Sequence, residues 1–253
     1  VYLADHAWPD ADTDVSTALV PLGSTEQHGP HLPLATDHLI AEGFAREAAE
    51  RTGLVCTPTV KVGVSPHHRQ FPGTMWVSPG AFREYVRSFA SNLAYHGIDR
   101  MVFVNAHGGN VEHLREVGRS LRDAETAYAC EWMWDRSIPD LVDDVFETNG
   151  PHAGPKETSL IQHLHPELVH DERIAEAAEG GCTDIANAGH FRNGAQVHYD
   201  AVENSHNGAF GDQTDASAEK GEELFEAATA QLVELAEWLE GEAFEDLLPA
   251  ERR

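Results

Sequence analysis

Apolar residues fall into short unbroken runs and longer periodic stretches, and the two alternate along the chain. Thr17 to Leu22 is a continuous run that reads as a buried strand. From Asp37 to Thr52, Leu39, Ile40, Phe44 and Ala48 recur at three- and four-residue steps, which predicts a helix capped by Thr36 or Asp37 and stopped by Gly53. Leu54 to Val62 is rich in Val and Thr and predicts a second strand, with Pro58 suited to an edge or bulge. Pro79 to His96 carries Phe82, Tyr85, Val86, Phe89 and Leu93 on one face, with Ser78 as N-cap. Met101 to Val104 is the kind of run that marks a strand buried on both faces. A helix over Val111 to Asp123, a strand over Tyr128 to Trp132, and helices over 139–147 and from Glu157 to Leu164 follow. A long C-terminal helix over 216–240 closes the pattern, after a poorly periodic excursion from 171 to 213. Strands and helices that alternate in this way predict a mostly parallel sheet with helices on both faces. With no long linker, one domain over residues 1–253 is expected.

Two loops of that pattern carry chemistry. Pro21 to Asp37, PLGSTEQHGPHLPLATD, places Glu26, His28, His31 and Asp37 in a Gly- and Pro-stiffened segment, with His38 just beyond. Asn105 to Asn110, NAHGGN, brings His107 after the third strand. In parallel sheets, sites form outside the carboxyl ends of the strands, and both loops leave from that edge. Glu26 and His28 are two residues apart, so an extended backbone turns both toward one pocket. Asp37, at the turn into its helix, can reach back between two ions. One Glu, one Asp and two His suit zinc, manganese or iron(II). A third loop, around His152 and Glu157, has the same composition.

Charge changes the picture of habitat rather than of chemistry. Asp and Glu number 43 against 17 Lys and Arg, a formal net charge of −26. No cationic face is available for nucleic acid. An acidic, lysine-poor surface predicts a protein adapted to high salt, where screening removes its self-repulsion. Three scattered cysteines form neither a disulfide framework nor a CxxC pair, which predicts a reducing cytoplasm. No apolar run reaches the length of a membrane span.

Four segments together resemble the creatininase family of metal-dependent amidohydrolases: residues 21–37, SPHHRQFPGT at 65–74, NAHGGN at 105–110 and HAGPKETS at 152–159. A fifth, GAFGDQTDASAEKGE at 208–222, is similar to the family's C-terminal signature. The resemblance implies a three-layer αβα sandwich, a homohexamer and two divalent metal ions. By matching position, Glu26 and His107 would hold one metal, His28 the other, and Asp37 would bridge them. Creatininase itself carries a Tyr-Glu pair after the motif histidine, the Glu being a ligand; Gly108-Gly109 stands here. Glu157 is the candidate replacement. His152 is the candidate for passing a proton to the leaving nitrogen, or else for orienting Glu157. His31 and His38 are left as bystanders, and Trp132, Trp134 and Cys130 as core.

The implied reaction is hydrolysis of a formamide or cyclic amide C–N bond by a metal-activated water. A plain HGGN is similar to the branch with the archaeal formamide hydrolase of riboflavin and deazaflavin biosynthesis and the mycofactocin peptidase. A small-molecule substrate, a formylaminopyrimidine ribotide, is the first expectation, with Arg69, Lys156 and Arg192 available for its phosphate. Creatinine, a mycofactocin-type peptide, a single-metal enzyme and a silent binding or assembly protein are the alternatives.

Overall fold

The computed structural model describes residues 1–11, 13–180 and 191–249. Its elements run β1 (Thr17–Leu22), α1 (Thr36–Thr52), β2 (Val55–Cys56), α2 (Pro79–Tyr95), β3 (Arg100–Asn105), α3 (Val111–Asp123) and β4 (Tyr128–Met133). They continue with α4 (Trp134–Ser137), α5 (Pro139–Val145), α6 (Pro155–Leu164), α7 (Ile174–Ala178), the short antiparallel strands β5 (Phe191–Arg192) and β6 (Ala195–Gln196), α8 (Ala201–Asn204), α9 (Ala218–Gly241) and α10 (Phe244–Leu247). The main sheet has the order β2-β1-β3-β4, and all its pairs are parallel.

Side-chain alternation divides the core into two halves. Leu19, Val102 and Val104 face α1, α6 and α9, meeting Ile40, Phe44, Leu160, Leu224, Ala228 and Leu232. Ala18, Val20, Met101 and Phe103 face α2 and α3, meeting Phe82, Val86, Ala90, Leu114 and Val117. The result is a three-layer αβα sandwich with its sheet covered on both faces, as expected. Trp132 and Trp134 pack on Phe44, at ring-centroid distances of 5.5 and 6.2 Å, and belong to this core. Burial also pushes the Cys130 thiol up to about 11, so it is an inert packing group.

Two expectations need correction. The second strand is two residues long, and after it only an isolated bridge pairs Val60 with Leu22. Pro58 has no N–H to give to a ladder, so pairing stops and resumes two residues later. Neither Thr36 nor Asp37 caps α1: the N-cap is Ala35, without a side-chain bond, and Thr36 Oγ1 donates to Pro33 O at 2.8 Å. Asp37 lies inside the first turn, so its carboxylate is free to point elsewhere. The Ser78 cap is as expected, accepting from Ala81 N–H. Among the described residues, no helix is long and apolar enough to cross a membrane.

Candidate metal centre

The β1–α1 loop and the β3–α3 loop meet at the carboxyl edge because their strands are neighbours in register, Leu22 opposite Asn105. Gly23 lets the first loop press onto the start of α1: a Cβ there would lie 2.4 Å from His38 N. Asn105 and Asn110 hold the second loop. Asn105 Oδ1 accepts from His107 N–H at 3.1 Å, and its Nδ2 donates to His107 O at 2.9 Å. Asn110 Nδ2 donates to Gly23 O at 3.1 Å, tying the loops together, while its Oδ1 accepts from Val64 N–H.

Glu26, His28, Asp37 and His107 converge in this frame, each 3 % exposed or less. His28 Nε2 is 2.9 Å from Asp37 Oδ1, and His107 Nδ1 is 3.0 Å from Asp37 Oδ2 and 3.3 Å from Glu26 Oε1. The far ring nitrogens are committed. His28 Nδ1–H donates to Glu26 O at 3.1 Å, and His107 Nε2–H donates to Val64 O at 3.1 Å. Each histidine therefore turns its other nitrogen onto buried carboxylates. Both Glu26 oxygens, His28 Nε2 and Asp37 Oδ2 lack a hydrogen-bond partner although fully enclosed. Buried polar atoms are almost always satisfied. A ring nitrogen fixed from behind and facing carboxylates is the arrangement of a metal ligand. The donor set fits divalent ions.

With no ion bound, protons take their place. Burial disfavours the His28 cation, but the Asp37 charge outweighs it and the pKa is raised to about 9. His107 is likewise raised, Glu26 and Asp37 overcoming its burial. Burial would raise Asp37, yet His28 and His107 hold it well below the carboxylate range.

Glu157, on the first turn of α6, joins the cluster from a third side. One ligand atom each from His28, His152 and Glu157 falls within 4.8 Å of the others. Its Oε2 accepts from Ala153 N–H at 2.5 Å, and burial raises its pKa to about 7. That backbone N–H orients Glu157. His152 is half-buried with its Nδ1 3.6 Å from Glu26 Oε1, and desolvation together with the His28 charge lowers it to about 3. His31 bonds Thr158 Oγ1 at 2.8 Å outside the cluster, and His38 is not part of it either.

Sequence reasoning gave no role to His67, His68 and Gln27. His67 and His68 come from the SPHHRQFPGT loop and complete three-residue groups with Glu26 and His107, and with Glu26 and His152. Gln27 stands between the two ligands of the first loop, 4 % exposed. The adjacent histidines behind Ser65-Pro66 were a readable signal; Gln27 was not.

Gly109 explains why a ligand at that position is missing. A Cβ there would sit 2.2 Å from Val64 O and 2.5 Å from His107 Nε2, across the bond that fixes His107. Gly109→Glu is therefore expected to break the His107–Val64 bond rather than add a ligand. Overpacking against backbone costs about 1–3 kcal/mol. The variant should melt lower and bind less metal, which thermal unfolding and metal analysis would read; unchanged stability with tighter metal binding would reverse this view.

A cavity of about 270 Å³ opens on the cluster. Glu26, His67, His68, His107 and His152 form its floor, and Pro151, Tyr199, Ala201, Asn204 and Phe210 form its walls. Of the cations expected to serve a phosphate, Arg69 pairs with Asp200 at 2.6 Å and Lys156 with Asp135 at 2.6 Å. The Arg192 side chain lies outside the described residues.

Carboxylate- and histidine-bearing loops gathered at one edge of a parallel sheet define the chain as an α/β metal-dependent hydrolase. A model of the creatininase family, described as creatinine amidohydrolase, matches residues 4–236, and the chain belongs to that family. It is 34% identical over 233 residues to the mycofactocin precursor peptide peptidase of Mycobacterium ulcerans, covering 88% of this chain and 86% of that one. It is 31% identical over 150 residues to the 2-amino-5-formylamino-6-ribosylaminopyrimidin-4(3H)-one 5'-monophosphate deformylase of Methanothermus fervidus, covering 57% of this chain and 54% of the relative. A creatinine amidohydrolase candidate from Bacteroides fragilis superposes with a TM-score of 0.80 at 25% identity, covering 96% and 97%. Solved creatininases of the same fold include a manganese form and a Zn–Zn variant. The expectation of a hydrolase acting on C–N bonds other than peptide bonds agrees with the creatinine and formylamino relatives; the mycofactocin relatives are described as peptidases of a precursor peptide.

Proposed function

We propose that the chain is a two-metal amidohydrolase, with Glu26, Asp37 and His107 holding one divalent ion (zinc, manganese or iron(II)) and His28, Asp37 and Glu157 holding the other. One observation carries this reading. Two histidines, each anchored from behind on a backbone carbonyl, turn their other nitrogens onto buried carboxylate oxygens that lack a hydrogen-bond partner. Bound there, the ions would acidify a water and polarise the amide carbonyl. His152 supplies the proton transfer. Its Nε2–H donates to Gln27 O at 2.7 Å, which leaves Nδ1 bare on the Glu26 side. Nδ1 takes the proton from the attacking water and passes it to the leaving nitrogen.

The amide of a short peptide is the substrate we place first. Identity to the peptidase relative runs over most of both chains, and no Lys or Arg is among the described residues lining the cavity. The formylaminopyrimidine ribotide is the second reading, supported by the deformylase relative. Its phosphate needs a free cation, and Asp200 and Asp135 already neutralise Arg69 and Lys156.

The test is metal analysis with a hydrolysis panel in molar salt, which the acidic surface is proposed to need. Two ions per chain and release of an amine from a short peptide are expected. Turnover of the ribotide or creatinine alone would replace the substrate assignment. One ion per chain would make the enzyme mononuclear, and none after careful handling would leave a silent binding protein. Assembly as a homohexamer and a cytoplasmic location remain part of this proposal; sedimentation in the same salt checks the first.

A further inference from the structure

Gln27 is the most connected polar side chain beside the cluster. Its Oε1 accepts from Gly29 N–H at 2.9 Å, and its Nε2 donates to Gly208 O at 3.1 Å. A backbone N–H can only donate and a carbonyl can only accept, so these two partners fix which way the amide faces. The remaining amide hydrogen has two ring nitrogens in reach, His68 Nδ1 at 2.8 Å and His152 Nε2 at 2.9 Å; His152 Nε2 gives its own proton to Gln27 O at 2.7 Å and cannot accept, so the hydrogen goes to His68 Nδ1. That nitrogen must accept, and the neutral His68 ring must carry its proton on Nε2. His68 lines the cavity, and its Nε2 lies 3.4 Å from Glu26 Oε1, which is too long for a strong N–H···O bond. On the neighbouring ring, 4.2 Å away between centroids, the backbone oxygen of the same Gln27 takes the Nε2 proton of His152. One residue thus sets two histidines in complementary states. His152 offers a bare nitrogen and His68 an N–H.

We infer that His68 is a catalytic residue whose Nε2–H donates to the amide oxygen as negative charge develops there, and that Gln27 is the positioning residue that holds it in that tautomer. The inference rests on the amidohydrolase reading above. A neutral N–H held in place beside the cavity needs no reorganisation at the moment of reaction, which is the condition for effective oxyanion stabilisation. The same tautomer excludes His68 from ligating a metal.

Nitrogen-15 NMR of histidine-labelled, zinc-loaded protein reads the tautomer directly, with His68→Gln supplying the assignment. A proton on Nε2 of His68 is expected. Gln27→Glu should invert it, because a carboxylate would accept from Nδ1–H, with zinc content unchanged. Acetohydroxamate, a small amide-like probe, tests the donor without needing the natural substrate. His68→Ala should weaken its binding to the zinc-loaded protein about 10-fold, the worth of roughly one hydrogen bond. His68→Gln, which keeps an N–H, should recover most of that loss. With the substrate from the hydrolysis panel, His68→Ala should lower kcat more than it raises KM. A proton on Nδ1 of wild-type His68, or a His68→Ala protein that binds hydroxamate as tightly as wild type, would overturn the inference alone. Failure to bind zinc would overturn it together with the metal reading.

Discussion

Asp37→Ala is expected to strip both metals and abolish hydrolysis in one step. Asp37 touches both halves of the cluster: one oxygen faces His28 at 2.9 Å and the other faces His107 at 3.0 Å. In the proposed centre Glu26 and Glu157 each serve one side. Removing Asp37 takes a ligand from both proposed ions and the charge that holds His28 and His107 in place. Metal ions supply several kcal/mol of transition-state stabilisation, so a loss of roughly 10³-fold or more in kcat is expected. Asp37→Asn keeps the volume and one acceptor oxygen, and it separates loss of charge from loss of packing. Both variants should show metal content near zero with an unchanged circular dichroism spectrum in high salt. Full occupancy and turnover in Asp37→Ala would remove the bridging role and, with it, the two-metal reading.

The legible part of this molecule is what local pattern and sheet topology dictate. Continuous apolar runs marked β1 and β3, and the rule that parallel sheets build sites at their carboxyl ends joined Glu26, His28, Asp37 and His107 before any coordinate did. The less legible parts depend on partners distant in sequence. Arg69 and Lys156 read as free cations until Asp200 and Asp135, 131 and 21 residues away, occupy them. Gln27 looks like a spacer between two ligands, and its role exists only because Gly208, 181 residues on, and His68 reach it. Gly109 reads as a lost ligand. Only the path of Val64 O shows that the backbone here has no room for one. Asp37 shows the opposite case: a helix cap was open beside the ligand reading, and Ala35 as N-cap decides against the cap.

Metal-free protein should lose stability as pH rises from about 6.5 to about 9, whereas metal-loaded protein should not. His28 titrates near 6.5 in an unfolded chain and is raised to about 9 in the fold. Below the lower value both states hold the proton and its contribution is fully present. Between the two values the folded state binds more protons than the unfolded one, so stability falls with pH. His107 is raised in the same sense through the shared Asp37, so the two contributions overlap rather than add. The other shifted groups of the cluster act elsewhere. Glu157, raised to about 7, has lost nearly all of its contribution before pH 7; His152, lowered to about 3, acts below 6.5; Asp37, held very low, acts only in strong acid. For His28 the linkage amounts to on the order of 3 kcal/mol. In a chain of this size that is roughly 5–10 °C in Tm. Bound ions displace these protons, so metal affinity rises with pH and offsets the loss. Thermal melts of chelator-treated and zinc-loaded protein at pH 6.5 and 9, in constant high salt, compare the two. His28→Gln should reduce the metal-free response to the part that His107 carries, while leaving the fold intact. A metal-free Tm that rises or stays level over this interval would mean that His28 is not protonated against Asp37, and that its bare nitrogen needs no cation at all.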